Sequence, residues 1–183
     1  MAPIVFEESG FRVTAPDPSF RFSELPAYRA LSGQHLKEMD IGWWEKSPKG
    51  TNRLLLLELK GMEVWQSLPD DPKKPHEHLI RTCVEKATDT LLMLSGAWLP
   101  TTWGKELAAE APPQLTPYAG DGHAALKLVF LIDIPASHRE LLLAVRDQIN
   151  GQLSGRLRVF GLKHVSVFDF ETAQKKGLPV TRV

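Results

Sequence analysis

A single cysteine, Cys83, stands among 183 residues, so no internal disulfide can form; its place in the apolar stripe of a helical pattern reads as a buried structural thiol. Net charge is absent as well, because 22 Lys and Arg offset 22 Asp and Glu. That removes the global basic footprint of a stand-alone nucleic-acid binder: any polyanion would have to be gripped by a local basic strip or by a partner. No apolar run approaches the length needed to span a bilayer, and no basic region followed by an apolar core opens the chain, so a cytoplasmic protein without membrane contact is expected. Glycine-rich phosphate loops, serine-nucleophile motifs and dinucleotide fingerprints are missing, which sets aside kinases, serine-type hydrolases and dehydrogenases. The histidines (His35, His76, His78, His123, His138 and His164) show no metal-ligand spacing, and a zinc site is not expected.

What is present suffices for one core. With 43% hydrophobic residues and no break in composition, residues 1–183 are expected to form a single α/β domain, a central mixed sheet flanked by helices with its core at about 23–170. The stretch Leu54-Leu55-Leu56-Leu57-Glu58-Leu59-Lys60 is apolar on both faces, the mark of a buried strand, yet it ends in an acid and a base. Side chains alternate across a strand, so Glu58 and Lys60 share a face. Charges at the end of a core strand must be paired, hydrated in a cleft or engaged with a metal. The preceding segment, Leu36 to Trp44, also reads as a strand, and Ser47-Pro48-Lys49-Gly50 supplies a turn. A hairpin centred near Lys49 places Asp40 across from Glu58 or one diagonal step away, with Asp40, Glu58 and Lys60 within about 5 to 8 Å of one another at Cβ. Of Trp43 and Trp44, one faces the core and the other a surface.

Around that hairpin, Ile4 to Phe6 and Phe11 to Thr14 read as β-like pieces forming an edge element, followed by a loop at Pro16 and Pro18. Ser23 to Ser32 reads as a short helix capped by Ser23, with Leu25, Tyr28 and Leu31 on one face and Gly33 at its end. Leu68 to Pro75 is a proline-stiffened loop. From Glu77 to Gly96 the apolar residues Ile80, Cys83, Val84, Ala87, Leu91 and Leu94 recur at helical spacing, while Arg81, Glu85, Lys86 and Asp89 read as a solvated face. Residues 97–124 form a long connection with a helical turn near Lys105 to Glu110 and a Gly120-Asp121-Gly122 turn. Leu126 to Ile134 is a second strand apolar on both faces. Ser137-His138-Arg139-Glu140 matches a capping box for a helix carrying Leu141, Leu142, Val145, Ile149 and Leu153, with Gly151 or Gly155 ending or breaking it. Residues 157–160 and Val165 to Phe170 read as closing strands, and 174–177 as a fraying tail.

Two carboxylates on adjacent strands suit a hard divalent cation such as Mg²⁺ or Mn²⁺, and a lysine beside them can orient water or meet a phosphate. Asp40, then Glu58-Leu59-Lys60 at the end of an apolar strand, a long amphipathic helix and another apolar strand resemble the PD-(D/E)xK nuclease superfamily over roughly residues 23–134. The resemblance implies a restriction-endonuclease-like fold, with the first acid on the second core strand, the acid-x-Lys on the third and the following helix behind them. It implies a Mg-dependent phosphodiesterase acting on DNA. Asp40 and Glu58 would bind metal with the Leu59 carbonyl, Lys60 would position the attacking water, and Glu24 would add a water-mediated contact. Met39 stands where the motif has proline, and only two of the three expected antiparallel strands are visible, the third being either Phe11 to Thr14 or a segment hidden under the helix placed at Ser23.

Blander readings accompany each residue. Glu58 and Lys60 would mark a strand end emerging into solvent with cross-strand ion pairs, and Asp40 a turn-side acid capping a backbone N–H. Arg139, Arg146, Arg156 and Arg158, with Lys163, give the C-terminal third a basic tendency that fits either phosphate contacts or ordinary solubilising charge. The alternative function is a non-catalytic, nuclease-like interaction module, a subunit of a larger assembly. The neutral charge points in either case to a protein partner or a homodimer.

Overall fold

The computed structural model describes residues 4–31, 35–47, 50, 52–63, 77–111 and 125–183. Strands β1 (Ile4–Glu8), β2 (Phe11–Ala15) and β3 (Ser19–Phe20) lead through a 3₁₀ turn (Phe22–Glu24) into α1 (Pro26–Arg29). Strands β4 (Ile41–Lys46) and β5 (Asn52–Lys60), helices α2 (Glu77–Trp98) and α3 (Thr102–Glu110), β6 (Ala125–Ile132), α4 (Leu141–Val159), β7 (Ser166–Phe168), α5 (Phe170–Lys175) and β8 (Val180–Arg182) complete the chain. It is a single α/β domain in which a mixed five-stranded sheet, in the order β3-β4-β5-β6-β7, lies between a layer of helices and a three-stranded antiparallel sheet, β1-β2-β8. No described helix is long and apolar enough to cross a membrane.

Strand β5 is apolar on both faces because both are covered. Leu54 and Leu56 pack with α2, α3 and α4, whereas Leu55, Leu57 and Leu59 pack with β2, α5 and β8. β4 pairs antiparallel to β5 and β6 pairs parallel to it, so β5 is central on its edges too. The β4–β5 register is set by the turn, where the Gly50 N–H donates to the Ser47 carbonyl at 2.8 Å and Gly50 adopts φ 80°, a conformation that suits a residue without Cβ. Its last ladder pair, Ile41 with Leu57, puts Asp40 next in line opposite Glu58. At Gly42 a Cβ would meet the Phe20 ring at 2.6 Å, so the short β3 can close over β4 only because that position is glycine.

Several local expectations give way to longer-range contacts. Phe11 to Thr14 is not an edge piece of the main sheet: β2 is the middle strand of the second sheet, its Phe11, Val13 and Ala15 buried on one side only, as befits a one-faced antiparallel strand. A third strand, Ser19–Phe20, does pair antiparallel with β4, but it precedes α1, so β4 and β5 are the strands described between α1 and α2. The helix expected at 23–32 is reduced to the 3₁₀ turn and the four residues of α1, which begin at Pro26 and lack a side-chain cap from Ser23. The strand expected from Leu36 begins only at Ile41.

Toward the C-terminus, the single helical turn expected near Lys105 is the nine-residue α3, N-capped by the Thr101 hydroxyl. The capping box at Ser137 does not form, since Ala136–His138 is a 3₁₀ turn and Glu140 precedes α4 without a side-chain cap. Neither Gly151 nor Gly155 stops α4, and residues 157–159 are its last turn rather than a strand. Burial of Val145, Ile149, Leu153 and Leu157 on one stripe outweighs the two glycines. The tail expected to fray at 174–177 is instead the end of α5 and a turn, followed by the buried Leu178 and by β8, which pairs with β2 and buries Val180. The Leu68–Pro75 loop and the 120–122 turn lie outside the described residues.

Candidate active site

Asp40, Glu58 and Lys60 meet on the helical face of the main sheet. The Lys60 ammonium lies 2.7 Å from Glu58 Oε1, and both carboxylates meet a fourth group, Lys86 of α2. Its Nζ is 2.9 Å from Asp40 Oδ1, 2.7 Å from Glu58 Oε1 and 2.9 Å from Glu58 Oε2. Asp40 Oδ2 accepts the Leu59 N–H at 2.7 Å, so the carboxylate continues the β4–β5 ladder with a side chain and is held in one orientation. Arg21 fixes the same residue from its backbone, donating from Nε to the Asp40 carbonyl at 3.0 Å.

Glu58 is fully buried, and Asp40 almost so, whereas the side chains of Lys60 and Lys86 keep 16% and 19% exposure. The cluster is thus acid at its floor and amine at its mouth. Burial, then the neighbouring Asp40 carboxylate, raises the Glu58 carboxyl from 4.5 to about 7, with Lys86 and Lys60 opposing the rise. Burial pulls Lys86 the other way, but Glu58 and Asp40 together outweigh it and hold its ammonium above the usual lysine range. The pair is unequal for a physical reason: Glu58 has lost all its water and faces a like charge, while Lys86 gains two opposite charges and stays partly wet. Glu58 Oε1 has two amines at 2.7 Å, Lys60 and Lys86, so the buried carboxylate is neutralised from two sides.

The position of Lys86 depends on how α2 is docked. Its Thr90 hydroxyl accepts the Met39 N–H at 2.8 Å, its Asp89 carboxylate accepts the Lys37 N–H at 3.0 Å and its Glu85 pairs with the Lys37 ammonium at 2.6 Å. Residues 85 to 90 therefore clamp the segment that carries Asp40 into β4. Helix α2 is not merely solvated on this side. Lys86 lies on its buried stripe, three residues after Cys83 and four before Thr90, both fully buried. That spacing was the available signal.

A third acid approaches from the second sheet. Glu8, at the end of β1, is raised by burial and then by Asp40, while Arg21, Lys86 and Lys60 lower it; its carboxylate is 3.1 Å from Arg21. Glu24, expected by resemblance to serve here, is instead on the 3₁₀ turn, half-exposed and 3.8 Å from Arg21. The Leu59 carbonyl is approached by the Ser9 hydroxyl at 3.5 Å, a long contact.

The expected arginine strip is largely occupied by neighbours. Arg139 pairs with Glu171 at 2.5 Å and Asp169 at 3.4 Å, Arg146 with Asp147 at 2.8 Å, and Arg156 donates to the Gln152 carbonyl. Arg158 lies in the last turn of α4. Trp43 is buried under the second sheet, and Trp44, on the opposite face, is partly buried against the helical core.

Among the described residues no group of three or more His, Cys, Asp or Glu is placed to hold a metal by itself. Two carboxylates that share one ammonium have the donor chemistry for a Mg²⁺-type ion that completes its shell with water and substrate oxygens. The fit is conditional on the Lys86 ammonium, which lies between the same oxygens. No family model matches this sequence, and comparison with curated proteins and with solved structures finds no significant match.

Proposed function

We propose that this chain is a PD-(D/E)xK-type nuclease that hydrolyses phosphodiester bonds of DNA with Mg²⁺ or Mn²⁺, working in the cytoplasm beside a partner or second copy that adds to its nucleic-acid grip. The observation that carries it is the convergence of Asp40, Glu58 and Lys60 on one face of β4 and β5, with Asp40 oriented by the Leu59 N–H. The order of β3, β4, β5, α2 and β6, with β6 parallel to β5, supports it as well.

Asp40 Oδ1 and Glu58 would hold the ion, joined by the Leu59 carbonyl. When bound, the ion acidifies a water and neutralises charge developing on the phosphate. Lys60, at the wetter rim, orients that water or contacts the scissile phosphate. The Leu59 N–H and Arg21 keep Asp40 from turning away, so the acids remain positioned without substrate.

The test is cleavage of single- and double-stranded DNA, with RNA in parallel, under Mg²⁺ or Mn²⁺. Lys60→Ala is expected to lower the rate by about 10²-fold or more, the size of a lost general-acid/base or positioning group. Cleavage unaffected by that change would remove the assigned site.

The full neutralisation of Asp40 and Glu58 by Lys86 and Lys60 favours a second reading, a nuclease-like module whose charges serve structure and whose role is to bind within an assembly. Metal-independent folding with no cleavage of any of the three substrates would favour it.

A further inference from the structure

Between Asp40 and Glu58 the structure holds an ammonium where a bridging cation would sit. Its three carboxylate contacts, 2.7 to 2.9 Å long, engage the oxygens that a divalent ion would need. An ion at the usual Mg–O distance of about 2.1 Å from those oxygens would press against Nζ, so the two cations exclude each other. We propose that Lys86 is a tethered counter-ion that occupies the divalent-cation position and must swing out before the ion can load. The inference rests on the cation-dependent nuclease reading and adds a residue to it.

Charge balance supports an exchange rather than an addition. The four groups in direct contact, Asp40, Glu58, Lys60 and Lys86, are two acids and two bases, neutral when all are ionised. A dication entering with Lys86 in place would find no net negative charge to meet. With Lys86 withdrawn, the two carboxylates regain it.

The geometry permits that motion without disturbing the fold. The backbone of α2 is pinned on both sides of Lys86, by Glu85 to Lys37, by Asp89 to the Lys37 N–H and by Thr90 to the Met39 N–H. Only the lysine side chain has to move, and at 19% exposure it already reaches the solvent side of the cluster. Its four-carbon stem gives it the range. Lys60 differs: it meets Glu58 Oε1 from the same strand as that acid, whereas Lys86 spans Asp40 and Glu58, so Lys86 is the ammonium on the bridging position.

Calorimetric titration of Ca²⁺ and Mn²⁺, without nucleic acid, into the wild-type chain and Lys86→Met tests the exchange. The variant is expected to bind about tenfold or more tightly, the order expected when one like charge leaves a part-buried site. Should the variant be too unstable to titrate, ¹³C-lysine labelling of the wild-type chain serves instead: Ca²⁺ is expected to move the Lys86 Cε resonance strongly. Equal or weaker binding by the variant, or Ca²⁺ binding with the Lys86 resonance unmoved, would overturn the counter-ion role and leave the nuclease reading standing. If neither chain binds a divalent ion, both fall together.

Discussion

Glu58 makes the stability of this protein respond to pH in a direction opposite to that of most carboxylates. Its folded carboxyl is raised from 4.5 to about 7 by burial and by Asp40, so between those values the folded chain holds a proton that the unfolded chain has released. Stability changes with pH as protons bound by the unfolded state minus those bound by the folded state, and here that difference is negative. Stability therefore falls as pH rises through this window, and the whole penalty is present above about 7. At about 1.4 kcal/mol for each pH unit, the gap from 4.5 to about 7 corresponds to about 3 kcal/mol. Glu58→Gln keeps the shape of the side chain and removes its titration. Urea unfolding of both chains, in chelator-treated buffer from about pH 5 to about pH 8, is expected to show the wild type losing most of this, about 2 to 3 kcal/mol, relative to the variant. Parallel profiles would refute the reasoning, because they would mean that Glu58 ionises as easily in the fold as outside it.

Two further changes probe the scaffold that holds the cluster, beside the cleavage test at Lys60 and the titration at Lys86. Thr90→Val preserves shape but takes the acceptor from the buried Met39 N–H, and is expected to lower unfolding free energy by about 1 to 3 kcal/mol in a denaturant titration. Gly155→Ala lies inside α4 where an added Cβ meets nothing within 4 Å, so thermal unfolding should show stabilisation, worth about 0.5 to 1 kcal/mol.

Much of the route to the site could be read locally. Leucines on both faces of β5 required a strand covered on both sides, and the Ser47 to Gly50 turn required a hairpin whose centre puts Asp40 in line with Glu58. The main helix followed from its apolar spacing. Lys86 was harder to see, because a lysine among Arg81, Glu85 and Asp89 looks like part of a solvated face. Counting from Cys83 and Thr90 instead places it on the buried stripe, where a cation needs acids opposite it. The site was thus legible as two acids and one base, and illegible as the ion-paired cluster it forms.

By itself the sequence determined which residues alternate toward which face, since periods of two and 3.6 are properties of the local backbone. It therefore determined that Glu58 and Lys60 point the same way and that α2 has a buried side. Only the tertiary structure decided what covers each face. β2 pairs with β8 across nearly the whole chain, Phe11 opposite Arg182, and no local pattern announces such a partner. The same holds for Glu8, Arg21 and Lys86, brought to Asp40 from three separate elements: their meeting depends on how layers pack, and packing is settled by contacts between residues far apart in the chain.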